Sequence, residues 1–259
     1  LVYGYWLSSG VFAGAEARRR GLVRHAACRA HGTDLWEPVR QAQYTPIIRQ
    51  VAPFIDVVAA ISESGREHLA RYGFTASQRR LARLGVEPAR TMCPPTSPGK
   101  LHVVSVSSIT PLKRLDRLVG ALAELARMEP LVEVQWTHIG DGPLRGEITA
   151  LAEELLPPAH VSYRFAGHLT HDAVLDWYAT HNVDVVVNTS DSEGVPVSLM
   201  EAMARGVPAV APRVGAVDEL VPASLLIPAH SDHSQVASHL AAHVADFKSG
   251  PLRESVREI

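Results

Sequence analysis

From about residue 101 onward, the chain alternates short apolar runs rich in β-branched residues with stretches of helical pattern. This alternation is typical of a parallel α/β sheet, in which a helix follows each strand. One predicted strand, Val183–Asn188, contains a run that is apolar on both faces and therefore predicts a central strand covered by helices. The predicted strands are Leu101–Val106, Val132–Ile139, Val161–Phe165, Val183–Asn188, Val207–Ala211 and Leu225–Ile227. The predicted helices are Leu115–Arg127, Leu144–Leu155, His171–His181, Ser198–Arg205 and Ser234–Phe247.

Residues 1–90 show the same pattern more thinly. Arg24–Ala30 and Ile55–Ile61 are predicted strands, each followed by a helix, and Leu81–Val86 is a third candidate strand. The stretch Pro94–Gly99 contains three prolines and a glycine, which neither helix nor strand accommodates, so it predicts an interdomain linker. We therefore expect two domains, residues 1–97 and residues 98–259, each long enough to bury its own core.

The charge balance argues against nucleic acid as a partner. The sequence has 25 Lys and Arg residues against 27 Asp and Glu residues, so no global field attracts a polyanion. A local basic cluster is open to two interpretations: a solvated helix face, or a surface that touches anionic lipid or a pyrophosphate-bearing acceptor. Its members are Arg18, Arg19, Arg20, Arg24 and Arg29.

Other features bear on the compartment. No apolar run approaches the roughly 20 residues that cross a bilayer, and there is no signal-peptide pattern. Cys28 and Cys93 suggest neither a disulfide framework nor a zinc site. We expect a cytoplasmic protein, with peripheral contact at the inner face of the membrane as the alternative that the basic cluster leaves open. Because the sequence begins at Leu1 without methionine and partway through a domain pattern, we also expect the first domain to be truncated.

The segment from Ser190 to Pro208 carries the main candidate chemistry. It follows the predicted central strand, and its glycine loop leads into a helix, where ligands of open α/β sheets bind. Unpaired N–H groups and the positive end of the helix dipole favour a phosphate there. Glu193 in the loop and Glu201 in the helix could accept paired hydrogen bonds from adjacent hydroxyls of a sugar and of a ribose. The alternative is a capping box, in which Ser198 and Glu201 bind only backbone N–H groups.

In this setting the sequence resembles the family 4 glycosyltransferases of GT-B architecture, which carry two glutamates separated by seven residues. Three further segments resemble motifs of the same family in order: a phosphate-binding strand and loop over Val104–Arg114, a glycine turn over Ile139–Leu144, and a cleft-closing segment over Val207–Val221. The resemblance covers most of residues 100–222. It implies an α/β fold of two Rossmann-like domains that face a cleft.

The resemblance also implies roles for single residues of the second domain. Lys113 matches a lysine that contacts the donor diphosphate, where a cation offsets the charge on the leaving group. The family usually has an arginine five positions earlier, where this chain has Ser108, and Arg114 could supply the missing charge or point to solvent. Gly140 and Gly142 match the turn near the nucleotide. A dinucleotide-binding turn is the alternative, although no acidic residue ends the next predicted strand.

Three other segments resemble parts of the same cleft. Arg29–Asp34 resembles the histidine loop of the first domain, which implies that His31 faces the donor, and a structural histidine is the alternative. Ile61–Glu63 resembles a later loop of the cleft, and a helix cap at Ser62 explains it equally well. His168 matches the segment that lines the base pocket.

Taken together, the resemblance implies a retaining glycosyltransferase that moves a sugar from a nucleotide-diphosphate donor to a polysaccharide, lipid-linked or small-molecule acceptor, similar to bacterial enzymes of surface-polysaccharide synthesis. No Asp-x-Asp lies beside a donor-loop strand, so neither a metal nor another cofactor is implied. The alternative is a non-catalytic nucleotide-sugar-binding module or an inactive fragment. The predicted catalytic residues are His31, Lys113 and Glu193. The predicted donor-binding residues are Ser108, Arg114, Gly140, Gly142, His168, Gly194, Val195, Pro196, Val197, Ser198 and Glu201.

Overall fold

Ten strands form two parallel sheets in the computed structural model of this protein, which describes residues 1–36 and 46–258. The chain separates into two compact units. The first comprises Leu1–Leu84 with Glu193–Val195, and the second comprises Gly85–Ser192 with Pro196–Ile259. Each unit has its own hydrophobic core, as an independent domain requires.

The first unit contains a four-stranded sheet in the order β1-β2-β3-β4. Val11 and Ala15, four positions apart on its first helix, are fully buried because this spacing places both on the face that covers the sheet. The strands are β1 (Val2–Gly4), β2 (Ala26–Ala30), β3 (Val57–Ala60) and β4 (Arg79–Leu81). The helices are α1 (Ser9–Arg19), α2 (Gly32–Leu35), α3 (Pro46–Val51) and α4 (Glu63–His68), with 3-10 turns at Ala52–Phe54 and Leu69–Tyr72.

Three arginines of the basic cluster pair with acidic side chains of the first unit. Arg19 and Arg20 each donate a hydrogen bond of 2.6 Å to Glu16, and these two guanidinium groups lower the pKa of Glu16 to about 2. Arg18 pairs with Asp56. These pairs favour the solvated-face interpretation, and contact with anionic lipid stays a prediction.

The second unit contains a six-stranded sheet in the order β10-β9-β8-β5-β6-β7. The strands are β5 (Lys100–Val106), β6 (Glu133–Ile139), β7 (Val161–Gly167), β8 (Val185–Val187), β9 (Ala209–Pro212) and β10 (Leu226–Ile227). The helices are α5 (Leu115–Met128), α6 (Arg145–Leu155), α7 (His171–Thr180), α8 (Val197–Met203), α9 (His233–His243) and α10 (Gly250–Ser255). Short 3-10 turns lie at Pro111–Lys113, Val217–Glu219, Ala223–Leu225, Asp246–Lys248 and Val256–Glu258.

Read from β7 to β10, with β5 as the first strand of the unit, this order is 3-2-1-4-5-6, the order of the doubly wound nucleotide-binding fold. β8 pairs with β5 on one side and β9 on the other, and all three of its residues are buried, which confirms the predicted central strand. Helix α5 covers the sheet with Leu118, Leu122 and Leu125, which are fully buried. Each such leucine contributes about 1.5–3 kcal/mol to the free energy of unfolding.

The structure corrects some predicted boundaries. The candidate strand Leu81–Val86 is wrong in position, since β4 spans Arg79–Leu81 and pairs with β3 from Val58↔Arg79 to Ala60↔Leu81. β4 lies at the sheet edge and is partly exposed, so its sequence lacks the apolar signal of a buried strand. The predicted helix Ser234–Phe247 ends at His243 and continues as a 3-10 turn. The remaining predicted strands and helices are confirmed within a few residues.

The second unit also includes the proline-rich segment before β5. The sequence predicted a domain boundary after residue 97, whereas the units divide after Leu84. Cys93 is buried in the second core, and its N–H donates to the Arg205 carbonyl at 2.9 Å. The buried Arg253 of α10 donates to the carbonyl oxygens of Cys93, Val183 and Phe247. The segment before β5 thus belongs to the second unit, which it joins through the buried Cys93 and hydrogen bonds of the Cys93 backbone.

Every helix in the described ranges is too short or too polar to cross a bilayer. The 14-residue α5, at about 1.5 Å per residue, is shorter than the hydrocarbon core is thick.

Candidate functional site

The strand order of the second sheet reverses between β5 and β8, and the crevice at such a reversal is where open α/β sheets bind ligands. From the carboxyl end of β5 the chain continues through Ser107–Thr110 into the 3-10 turn Pro111–Lys113. From the carboxyl end of β8 it continues through residues 188–192 toward α8. Lys113 and the loop that precedes Glu193 thus both lie at this reversal point.

Hydrogen bonds join the two loops. The N–H of Asp191 donates to the Leu112 carbonyl at 2.9 Å. The hydroxyl of Thr189 lies 3.1 Å from the Lys113 carbonyl and 2.9 Å from the Arg114 carbonyl, within hydrogen-bond distance of both. The backbone of Lys113 is therefore fixed beside the loop of β8.

The predicted glycine turn packs against the same region. Gly140 has a φ of +139°, and a Cβ there would lie 1.8 Å from the Ser107 carbonyl oxygen. A Cβ on Gly142 would lie 2.4 Å from the Ile109 carbonyl oxygen. Only glycine fits at these two positions, because the backbone of the β5 loop occupies the space that a side chain needs. The structure thus places Gly140 and Gly142 against the backbone on either side of Ser108, and their contact with a nucleotide stays a prediction.

A third strand end reaches the same edge. The N–H of Gly140 donates to the Gly167 carbonyl at 2.8 Å, so His168, the next residue, follows directly from this contact. The loops after β5, β6, β7 and β8 therefore meet at the carboxyl edge of the second sheet. Of the predicted donor-binding residues, Ser108, Gly140, Gly142 and His168 lie in these loops.

Arg114 forms ion pairs with two carboxylates, whereas the sequence predicted that it either contacts a donor phosphate or points to solvent. Its guanidinium donates to Asp116 at 2.9 Å and to Asp191 at 3.0 Å, and these hydrogen bonds raise its pKa. The side chain is therefore committed to carboxylates rather than pointing freely to solvent. Whether its charge also acts on a donor phosphate stays a prediction.

Asp191 is a residue that the sequence reasoning missed as part of the site. It accepts hydrogen bonds from Arg114 and Arg117, each at 3.0 Å, and its Oδ1 lies 3.3 Å from His230 Nδ1. Burial raises the pKa of Asp191, but these three hydrogen bonds outweigh it and leave the pKa lowered. The buried Arg117 also donates to the Thr189 carbonyl at 3.0 Å. Asp191 and Arg117 thus hold the β8 loop in place.

Replacing Asp191 by asparagine is expected to lower the free energy of unfolding at pH 7 by about 1–2 kcal/mol, because an amide cannot accept equally from two guanidinium groups. A carboxyl with a lowered folded pKa stabilises the fold above its unfolded pKa of about 3.9, and the gain disappears as the pH falls through the folded value. The difference between wild type and variant in urea unfolding should therefore shrink at pH 3. Asp176→Asn, an exposed carboxylate of α7, is the control; an equal loss there would contradict the assignment.

The start of α8 is not consistent with the capping-box alternative. The helix begins at Val197 with Pro196 as its cap residue, and no side chain caps it. Ser198 therefore lies inside the first turn, so the prediction that it caps the helix is wrong. The competing explanation for Glu201, as one half of a capping box, is thereby removed.

Glu201 lies beside a cavity of about 410 Å³ within the second unit, which we call the Glu201 cavity. Its carboxylate side chain is 9% exposed, and Oε1 lies 3.1 Å from Nδ1 of His171, the first residue of α7. Burial raises the pKa of Glu201, and His171 and Arg205 partly oppose that rise. The residues that line the cavity are Gly85, Val86, Glu87, Pro88, His171, Leu175, Val197, Glu201 and Arg205.

In the first unit, His31 is buried at the end of β2. Its ring lies 4.1 Å from the ring of Trp6 and 4.9 Å from that of Tyr5, measured between centroids. Nδ1 is 3.6 Å from Asp34 Oδ2, too long for a hydrogen bond, and neither ring nitrogen has a partner among residues 1–36 and 46–258. Burial lowers the pKa of His31, which favours the neutral ring.

Two further predictions concern the first unit. Ser62 Oγ accepts a hydrogen bond of 3.0 Å from the Gly65 N–H, which confirms the helix-cap alternative at that position. Glu193, Gly194 and Val195 belong to this unit, whereas Lys113 belongs to the second, so their convergence on one donor stays a prediction. Within residues 1–36 and 46–258, no three His, Cys, Asp or Glu side chains form a group that could hold a metal ion.

The family model described as "Glycosyl transferases group 1" matches residues 100–246, more than half of the chain. WcaL of Salmonella typhimurium, named as a candidate glycosyltransferase of colanic acid biosynthesis, is 30% identical over 241 residues, which cover 90% of this chain and 58% of WcaL. The GDP-mannose-dependent α-(1-6)-phosphatidylinositol monomannoside mannosyltransferase of Mycolicibacterium smegmatis is 29% identical over 228 residues, covering 80% of this chain and 57% of that protein. The chain thus spans 57–58% of the length of these two relatives.

Solved structures share the fold. The lipopolysaccharide outer core galactosyltransferase WaaB has a TM-score of 0.72 and 19% identity, covering 96% of this chain and 67% of WaaB. HepE of Anabaena, solved in complex with UDP-glucose, has a TM-score of 0.71 and 19% identity, covering 96% of this chain and 70% of HepE. Likeness at this identity concerns the fold alone, and it confirms the predicted α/β fold of the GT-B class.

Proposed function

This chain belongs to the glycosyl transferases group 1, and we propose that it binds the donor of a retaining glycosyltransferase, which moves a sugar from a nucleoside diphosphate to an acceptor. The observation that carries the proposal is the meeting of four loops at the reversal point of the second sheet. Two of them, the loops after β5 and β6, bring Ser108, Lys113 and the glycine turn to one edge. Names of similar proteins support a nucleotide-sugar donor: HepE was solved with UDP-glucose, and the mannosyltransferase is named as GDP-mannose-dependent.

In the proposed reaction, the bond between the anomeric carbon and the donor phosphate breaks, and the diphosphate leaves with growing negative charge. We assign Lys113 to offset that charge, because a fixed cation in a sheltered crevice requires no reorganisation when the charge appears. The carboxylates of Glu193 and Glu201 accept hydrogen bonds from donor hydroxyls and so orient the donor. The acceptor hydroxyl then bonds to the anomeric carbon on the face that the diphosphate leaves, and its proton passes to a phosphate oxygen.

The donor proposal is tested by thermal unfolding with UDP, GDP, ADP, their sugars, and NAD. A ligand of the folded state at about 100 times its Kd adds about 2.7 kcal/mol, so one nucleoside diphosphate should raise Tm by several degrees. A rise with NAD alone would favour the dinucleotide alternative and contradict the proposal, as would no rise with any of the ligands.

Turnover separates a transferase from a binding module. A version extended to the length of its relatives should release nucleoside diphosphate from the stabilising sugar nucleotide, and the anomeric configuration of the product can be read by proton NMR. Stabilisation without release would favour the non-catalytic alternative. Release with inverted configuration would contradict only the retaining mechanism and would leave the proposed transferase activity standing.

We also propose that the reaction is independent of metal ions, because no Asp-x-Asp lies beside a donor-loop strand and Lys113 can stabilise the leaving group. Incubation with EDTA should therefore leave the rate of donor turnover within about twofold of the untreated rate. Added Mg²⁺ or Mn²⁺ is the comparison. A loss of about tenfold or more with EDTA that either ion reverses would overturn this part of the proposal.

A further inference from the structure

The Glu201 cavity brings a buried carboxylate together with an exposed imidazole. The carboxylate of Glu201 is 9% exposed, whereas the side chain of His171 is 64% exposed. His171 is the first residue of α7, whose cap is Thr170, and it therefore approaches α8 from a fixed helix end. A contact of 3.1 Å joins Nδ1 of His171 to Oε1 of Glu201.

The other ionisable groups around Glu201 do not replace His171. Arg205, two residues beyond the end of α8, donates to the Glu201 carbonyl oxygen at 3.0 Å, so this hydrogen bond is with the helix backbone and not with the carboxylate. Tyr178 of α7 is fully buried and its hydroxyl finds no partner among the described residues, and burial raises its pKa. Glu87, which also lines the cavity, has the same charge as Glu201. His171 is thus the group whose side chain contacts the Glu201 carboxylate.

We propose that His171 is a positioning residue for donor binding, holding Oε1 of Glu201 through Nδ1 so that Oε2 accepts hydrogen bonds from hydroxyls of the bound nucleotide sugar. The inference rests on the proposed function, because it gives Glu201 a donor to bind. A carboxylate held by one oxygen cannot rotate freely, so ligand binding costs less side-chain entropy. The cavity next to Val197 and Glu201 provides the space for such a ligand.

If His171 only stabilised the fold, its replacement would lower Tm of the ligand-free protein. An ion pair with a largely exposed partner contributes little to folding. Replacing His171 should therefore leave Tm of the ligand-free protein nearly unchanged, while weakening nucleotide binding.

The test measures the Kd of the nucleoside diphosphate that stabilises the protein, UDP or GDP, from pH 5 to 8 for wild type and variants. At pH 7, His171→Ala should raise Kd by about tenfold, the effect of one lost hydrogen bond to a charged group. His171→Asn, whose amide nitrogen replaces Nδ1, should restore most of the affinity. His171→Gln, whose amide corresponds to the other ring nitrogen, should not. His160→Ala, an exposed histidine of the same unit, is the matched control.

The pH profile distinguishes positioning from a general loss of packing. Protonation of Glu201, whose pKa burial raises, should weaken nucleotide binding at low pH. Without the imidazole the pKa of Glu201 rises further, so binding by His171→Ala should weaken at a higher pH than binding by wild type.

Four results would overturn the inference. One is a Kd for His171→Ala within twofold of wild type with an unmoved pH profile, and another is equal binding by the Asn and Gln variants. If Glu201→Gln weakens binding but the His171 variants do not, the inference fails while the proposed function stands. If wild type binds neither UDP nor GDP, both fail together.

Discussion

Replacing Lys113 by alanine is expected to lower kcat of donor turnover by about 10²–10³-fold while changing the donor KM by less than about threefold. The reason is that the leaving diphosphate carries more negative charge in the transition state than in the bound donor, so the cation stabilises the former more. The 3-10 turn that bears Lys113 is fixed by hydrogen bonds from Thr189 and Asp191, so its backbone does not have to move into place. Steady-state kinetics of donor hydrolysis or transfer separate the two parameters.

Lys100 provides the matched control for that variant. It lies at the amino end of β5, the strand whose carboxyl end leads to Lys113, and it is exposed and paired with Glu133. Lys100→Ala removes an equal charge at the amino end of β5, the opposite edge of the sheet from the turn that bears Lys113, so its kcat should stay near the wild-type value. If Lys113→Ala raised only KM, the lysine would bind donor and transition state equally, and its proposed role would be wrong.

Replacing Gly140 by alanine is expected to lower the free energy of unfolding by at least about 3 kcal/mol and to abolish nucleotide binding. The added Cβ would lie 1.8 Å from the Ser107 carbonyl oxygen, and the φ of +139° is one that alanine rarely adopts. The two loops must then separate, which opens the contact between the ends of β5 and β6. Urea unfolding and the nucleotide thermal shift measure the two effects.

Gly146 tests whether the effect comes from this contact or from replacing any nearby glycine. It lies in α6, and a Cβ there would meet nothing within 4 Å. Because alanine favours a helix over glycine, Gly146→Ala should change the free energy of unfolding by between zero and about +1 kcal/mol. A loss as large as that of Gly140→Ala would contradict the close-approach explanation.

Most strands of the second sheet could be predicted because the hydrophobic pattern of each strand lies within a short stretch of sequence. The run Val183–Asn188 is apolar on both faces, and a strand with that property has to be covered on both sides. Gly206 marks the end of α8, and in the structure it has a φ of +73°, as a helix-ending glycine does. By contrast β4 is an edge strand that begins with two arginines, so its pattern could not be told from that of a loop.

The site could be predicted only in part, because its contacts join residues far apart in the sequence. The glycine turn is predicted by its resemblance to the family motif, and the close approach of two backbones explains why glycine is required there. The pairing of Arg114 with Asp191, 77 residues away, leaves no trace in either local segment. The contact between His171 and Glu201 could not be predicted either. A histidine at the start of a helix can have many roles, and only the folded structure shows that α7 packs next to α8 at this point.

The hydrogen bonds of Arg253 affect when the second unit can finish folding during synthesis. Its guanidinium binds carbonyl oxygens at Cys93 and Val183, so three distant stretches of chain share one cation. During synthesis from the amino end, those carbonyls remain hydrated until α10 has emerged from the ribosome. The second unit is therefore completed only after residue 253 has been synthesised, and a nascent chain halted before that residue should be more open to proteases and chaperones than one that includes it.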